Sequence, residues 1–203
     1  MVQSQEMNDT FAAGIANIAI SGDTIVIGAQ GSSNPLVEGS HNLSGAVYIY
    51  QKDGNDWTQV SRISKETPET ADFFGVSVDI KGDTIVVGSK DGGDNAGAVY
   101  IIEKSGDTWL DGVVDESYRI DPPERHSSAK FGLPVALSED GNTILAGEYS
   151  HEVSNIPSRI GRVHVFEKLV SSCSGVRADC WEHKEIIQEI FKLKSKIILF
   201  YRL

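Results

Sequence analysis

Short runs that are apolar at nearly every position, each closed by a glycine-bearing turn, set the rhythm of this chain. TIVIGA at 24–29, TIVVGS at 84–89 and AVYII at 98–102 do not alternate between apolar and polar residues. A sheet with one face in water alternates, so an unbroken Val/Ile run predicts a strand covered on both faces. Ahead of the first two runs stand SGDT at 21–24 and KGDT at 81–84. Glycine at the first central turn position accepts the positive φ of a II′ hairpin, which suits the twist of paired strands. Each such turn therefore predicts an antiparallel pair.

The pattern recurs. The turn glycines Gly22, Gly82 and Gly141 lie 60 and 59 residues apart. After them come GAVYIY at 45–50, GAVYII at 97–102 and GRVHVF at 161–166, and then a tryptophan after a polar turn, Trp57 and Trp109. Ahead of the second and third turns stand DFFGVSV at 72–78 and AKFGLPV at 129–135. Four marks in one order establish an internal repeat. In the middle unit AGAVYIIEK and WLDGVVDESYRI complete four strands of an antiparallel meander. Repeated four-stranded sheets, each buried front and back by its neighbours, are the blades of a β-propeller. The predicted fold is all-β: a partial propeller of about three four-stranded antiparallel blades. These span 10–70, 71–126 and, incompletely, 127–167.

The stretch DFFGVSVDIKGDTIVVGSKDGGDNAGAVYIIEKSGDTW resembles the FG-GAP repeat of integrin-α-type propellers. Phe74-Gly75 and Phe131-Gly132 match the FG element, and Gly28-Ala29 and Gly88-Ser89 match the start of the GAP element. Gly97-Ala98-Val99-Tyr100 matches its closing strand. The resemblance covers roughly residues 10–167 in three copies. The first copy departs from it with Gly14-Ile15 where Phe-Gly is expected, and the third ends without its tryptophan strand. The resemblance implies a non-catalytic, extracellular or cell-surface recognition or adhesion module. Its protein or glycan ligand would meet the variable loops 30–44, 90–96 and 148–160 on a rigid scaffold.

Integrin-type blades resemble EF-hands in carrying a D-x-D-x-D-G-type loop between their first two strands. A calcium ion needs oxygens converging from alternate loop positions. Ser21-Gly22-Asp23 and Lys81-Gly82-Asp83 are too short to wrap an ion, and SEDGNT at 138–143 offers Glu139, Asp140 and Asn142 without the full spacing. No cofactor is therefore expected. The candidate metal ligands are Asp91, Asp94 and Asn95 in DGGDNAG, set against an ordinary turn that uses Asp, Asn and Gly for backbone tolerance. The tryptophans and tyrosines read as packing between blades rather than as a sugar platform. His164 takes the place of the tyrosine in the third closing strand, again a packing position.

Charge narrows the partners. The formal net charge is −11, which argues against nucleic acid, since counterion release needs clustered Lys and Arg. No 18-residue apolar run predicts a membrane span, and MVQSQEMNDT lacks the basic and apolar regions of a signal peptide. No G-x-S-x-G, H-E-x-x-H or phosphate loop is present. After Lys168 the repeat marks stop and the local charge turns positive. Ile186, Ile187, Ile190, Phe191 and Leu193 fall at a helical period, so the 168–203 tail is expected as an amphipathic helix or as a gene-model artefact. Its Cys173 and Cys180 are expected as unpaired thiols. Closed rings use about 4–8 blades. Three leave open faces and edges that invite self-association, and the preferred expectation is a piece of a longer protein. The alternatives are part of a polysaccharide-active propeller enzyme and an inactive truncated product.

Overall fold

A computed structural model describes residues 14–15, 17–32, 43–91, 93–151, 160–169 and 180–187. Its strands are β1 (Asn17–Ser21), β2 (Thr24–Ala29), β3 (Ala46–Asp53), β4 (Asp56–Lys65), β5 (Ser77–Lys81), β6 (Thr84–Ser89) and β7 (Ala98–Glu103). They continue as β8 (Gly112–Val114), β9 (Arg119–Ile120), β10 (Phe131–Leu137), β11 (Thr143–His151), β12 (Ile160–Lys168) and β13 (Trp181–Ile187), with one 3-10 turn at Glu116–Tyr118. Three sheets result, ordered β1-β2-β3-β4-β8, β5-β6-β7-β9 and β10-β11-β12-β13. The chain is all-β and has the layout of a partial propeller.

The hairpins form as the glycine turns dictate. Ser21 pairs with Thr24 and Lys81 with Thr84, leaving two-residue loops in which Gly22 and Gly82 both have φ +54. Neither Asp23 nor Asp83 has positive φ, which is the II′ combination. The third connection is longer and turns on Gly141 at φ +68.

The middle sheet carries the test of a stacked architecture, because it alone has a sister sheet on each side. Every residue of β6 is buried. Ile85, Val87, Tyr100 and Ile102 pack with Val26, Val47, Ile49 and Ile63 of the first sheet. Their neighbours Val86, Val99 and Ile101 point the other way, into Val135, Leu137, Ile144 and Phe166 of the third. Full burial of one such side chain is worth roughly 1.5–3 kcal/mol, so two faces of them hold the middle sheet in place. On β1, by contrast, Ala19 packs inward while Ile18 and Ile20 are 61% and 60% exposed.

Backbone contact between successive units is as close as side-chain packing. Phe73 and Phe74 N–H groups donate to the carbonyls of Leu43 and Ser44 at 3.0 and 2.9 Å. Lys130 and Phe131 donate in the same way to Asn95 and Ala96 at 3.1 and 2.7 Å. Phe74 and Phe131 are themselves fully buried. At the first joint a Cβ on Gly28 would lie 1.9 Å from the Gly75 carbonyl oxygen; at the second, a Cβ on Gly88 would lie 2.2 Å from that of Gly132. The FG glycines, Gly75 and Gly132, hold φ +87 and +86. Gly14 holds φ +79, so the first copy places the left-handed glycine itself at 14, with no Phe before it.

Two expectations need correction. WLDGVVDESYRI does not form one outer strand of the middle blade. Its first part, β8, leaves to join β4 of the first sheet in parallel, and only the two-residue β9 pairs with β7. The edge of β4 recruits it: the Arg62 N–H donates to the Asp111 carboxylate at 2.9 Å and the Glu66 N–H to the Val114 carbonyl at 2.9 Å. The Ser61 hydroxyl donates to the Leu110 carbonyl, and Val114 enters the core between the first two sheets. Secondly, 181–187 is a strand and not a helix. β13 pairs antiparallel with β12, so the third sheet takes its fourth strand from beyond residue 167, and Trp181 is buried with Phe166. An open β12 edge beside an apolar cluster outweighs the local helical period. Ile190, Phe191 and Leu193 lie outside the described residues.

The glycine joints give a measurable contrast. Gly28→Ala drives a methyl into the Gly75 carbonyl and is expected to cost about 3 kcal/mol or more. Gly22→Ala meets nothing within 4 Å and suffers only the left-handed backbone penalty of roughly 1–2 kcal/mol. Urea unfolding of both variants checks the order.

Candidate functional site

Charge collects at the end of the sheets where the joints lie, and it is organised around Asp91. This residue follows β6 with φ +60 and is 9% exposed. The turn is set by Asp72, whose carbonyl accepts from the Lys90 N–H at 2.7 Å and the Ser89 hydroxyl at 3.0 Å. Three cations then converge on the Asp91 carboxylate. Lys65, from the end of β4, approaches at 3.2 Å; Arg119, on β9, at 2.8 Å; and Arg125, on the following segment, at 2.5 Å. Lys65 also meets the fully buried Asp72 at 3.1 Å. Arg119 and Arg125 both continue to Asp121, at 2.8 and 2.9 Å, and Arg125 to Asp94 at 3.2 Å. Beyond this network opens a polar pocket of about 280 Å³ lined by Glu69, Asp91, Gly93, Asp94, Arg119 and Arg125.

The ionisation follows from the geometry. Burial pushes the Asp91 carboxyl up, but the Arg125 hydrogen bond and the charges of Lys65 and Arg119 outweigh it and bring its pKa down to about 2. Burial likewise opposes the charge on Lys65, yet Tyr100, Asp72 and Asp91 hold its pKa above the ordinary value. Beneath them the Tyr100 phenol, buried in the core, is pushed up to about 12. Lys65, Arg119 and Arg125 thus share Asp91 and each has a second carboxylate partner.

The structure brings Asp91, Asp94 and Asn95 together in one turn. The Asn95 N–H donates to the Asp91 carbonyl at 3.1 Å, and the Asp94 carboxylate accepts from the Ala96 N–H at 2.9 Å. Their carboxylate oxygens face arginine, lysine and backbone N–H groups. Among the described residues no three His, Cys, Asp or Glu side chains gather as metal ligands. In SEDGNT, Asp140 accepts from the Ser138 hydroxyl at 2.5 Å and the Asn142 N–H at 3.0 Å within its own turn. Of the three variable loops, 90–96 reaches the pocket; 33–42 and 152–159 lie outside the described residues.

Lys65, Arg119 and Arg125 are what sequence reasoning missed. They are scattered through 60 residues with no motif between them, and only the stacking of the first two sheets makes them neighbours. The aromatic residues behave as packing groups: Tyr50, Tyr100 and Trp109 are buried, and Trp57 packs against the cluster that contains Tyr48 and Tyr50. A second polar group lies inside the third sheet. Its His164 Nε2 is 2.9 Å from the Glu148 carboxylate, with both side chains buried and Phe131 edge-on to the ring. Cys180 is disulfide-bonded, against the expectation of free thiols; Cys173 lies outside the described residues. No helix among the described residues is long and apolar enough to cross a membrane.

Stacked four- and five-stranded sheets, joined by a buried phenylalanine and a left-handed glycine, define a propeller-type repeat protein. Residues 7–50 and 57–102 match the family model described as FG-GAP repeat. Over those residues the chain carries FG-GAP repeats, and the third sheet has a similar joint at Phe131–Gly132 beyond them. A search among curated proteins finds no match.

Removing the hub should be costly. Asp91→Asn leaves Lys65, Arg119 and Arg125 without their shared anion and is expected to destabilise by about 3 kcal/mol. Because the folded pKa of Asp91 lies below the unfolded 3.8, its stabilisation is full above about pH 4. It fades as pH falls towards 2, by roughly 2 kcal/mol. Denaturant titrations of wild type and Asp91→Asn from pH 7 to 2 should therefore converge at the acid end.

Proposed function

We propose that this protein is a non-catalytic recognition module, displayed outside the cell, which holds a protein or glycan ligand at the loop end of its stacked sheets. One observation carries the reading: the polar pocket at that end, built from the 90–94 turn and Arg125 over a fixed ionic base. The base is held by ion pairs from Lys65, Arg119 and Arg125 to Asp72, Asp91 and Asp121. The rim, Glu69, Asp94 and Gly93, is exposed and belongs to connecting segments that can vary without disturbing the core. The His164–Glu148 pair is buried against Phe131 and Phe166 and reads as a packing pair, which suits non-catalytic action. The Cys180 disulfide supports an oxidising compartment. The exposed Ile18 and Ile20 support a place within a larger ring, because the corresponding face of the middle sheet is covered by a neighbour.

The test is direct binding. The full chain is passed over arrays of sulfated, uronic-acid and neutral polysaccharides and over immobilised extracellular-matrix proteins, beside Glu69→Ala and Asp94→Ala. Saturable binding that weakens at least about tenfold in both variants, a change of ~1.4 kcal/mol, with unchanged melting temperature, is the expected result. Binding that ignores both substitutions, no binding to any probe, or release of new reducing ends from a polysaccharide would overturn the reading.

A further inference from the structure

The third unit departs from its sisters at two positions on adjacent strands. Where the closing strands carry Tyr48 and Tyr100, β12 carries His164; where β2 and β6 end in Ala29 and Ser89, β11 carries Glu148. The exchange places a carboxylate and an imidazole side by side in a core whose other members are apolar. The chain of contacts then continues outward. His164 Nδ1 lies 3.3 Å from Nε2 of His183 on β13. His183 packs edge-on to Phe166 with ring centroids 5.1 Å apart.

We propose that Glu148, His164 and His183 form a pH-operated latch that fastens β13 to the third sheet at neutral pH and releases it in mild acid. His164 Nε2 faces the carboxylate and donates its proton there. On the other side, Nδ1 and the His183 Nε2 share one hydrogen bond, which requires one proton on the line between them. The two imidazoles can carry one positive charge in all, balanced by Glu148. A second proton places N–H against N–H at 3.3 Å and sets two cations side by side. The direction of the His183 pKa, lowered by burial and by the His164 charge, agrees with this. Sign follows from linkage: a folded pKa below 6.5 means that the latch is whole above that pH and fails as pH drops through the lowered value.

The surroundings offer the second charge little relief. β10 contributes Phe131 and β13 places Ile186 opposite His164. On β12, Arg162 sits in register with Glu148 and adds a like charge; Lys168 is paired with Glu103 of the middle sheet at 2.5 Å. Glu182 and Lys184 of β13 pair with each other, and Glu185 sits opposite Val165. β13 is also an edge strand, and five of its seven residues are exposed. Its release would bare the edge of β12, a template for strand addition.

Hydrogen–deuterium exchange of the full chain at pH 7.0 and 5.0, corrected for intrinsic exchange, tests this independently of any ligand. Amides of 181–187 are expected to lose protection at least about tenfold at pH 5.0, while those of 84–89 keep theirs. His183→Gln, which cannot titrate, should keep β13 protected at both pH values, and His164→Tyr restores the sister residue and should do the same. Three results would overturn the latch: equal protection of wild-type β13 at both pH values, no protection at either, or an acid loss that persists in both variants. Retained protection at 84–89 shows that each variant is folded.

Discussion

The architecture depends on the close approach of two backbones at each joint. With a Cβ position only 1.9 Å from a neighbouring carbonyl at Gly28 and 2.2 Å at Gly88, no side chain of any size fits. Absence of a Cβ lets consecutive sheets come near enough for Phe74 and Phe131 to be swallowed whole and for their N–H groups to reach carbonyls of the preceding unit. The apolar strands then meet at packing distance. The Phe-Gly signature and the glycine that opens the GAP element are two halves of one contact, Gly28 with Gly75 and Gly88 with Gly132, far apart in the chain and brought together by the stacking of successive sheets.

Once the sheets are fixed, polar chemistry can occupy only what they leave over. At the loop end, charges from two successive units meet over Tyr100, and burial without neutralisation would be costly there. Matched pairing of Lys65, Arg119 and Arg125 with Asp72, Asp91 and Asp121 meets that demand and stiffens the segments that frame the pocket. The third sheet meets the same demand differently, with a buried carboxylate–imidazole pair 2.9 Å apart.

The legibility of the site was uneven. Asp91 and Asp94 stood out as acidic turn residues, and the turn is where it was expected, but their partners were invisible because ion pairs across sheets have no sequence spacing. Trp181 was hidden by distance: twenty residues separate it from Gly161, whereas Trp57 and Trp109 follow Gly45 and Gly97 by twelve. Helical periodicity then misassigned 181–187, since an isoleucine-containing stretch of seven residues satisfies either period and only a partner edge decides.

By itself the sequence determined the local events: two-residue hairpins at Gly22 and Gly82, strands buried on both faces, and a unit that repeats every sixty residues or so. These follow from φ preferences and from side chains that water rejects, both properties of short stretches. Tertiary structure decided where β8 and β13 add, which cations gather on Asp91, and that His164 finds both Glu148 and His183. Those outcomes rest on distances between residues far apart in the chain, and such distances exist only after the sheets have stacked.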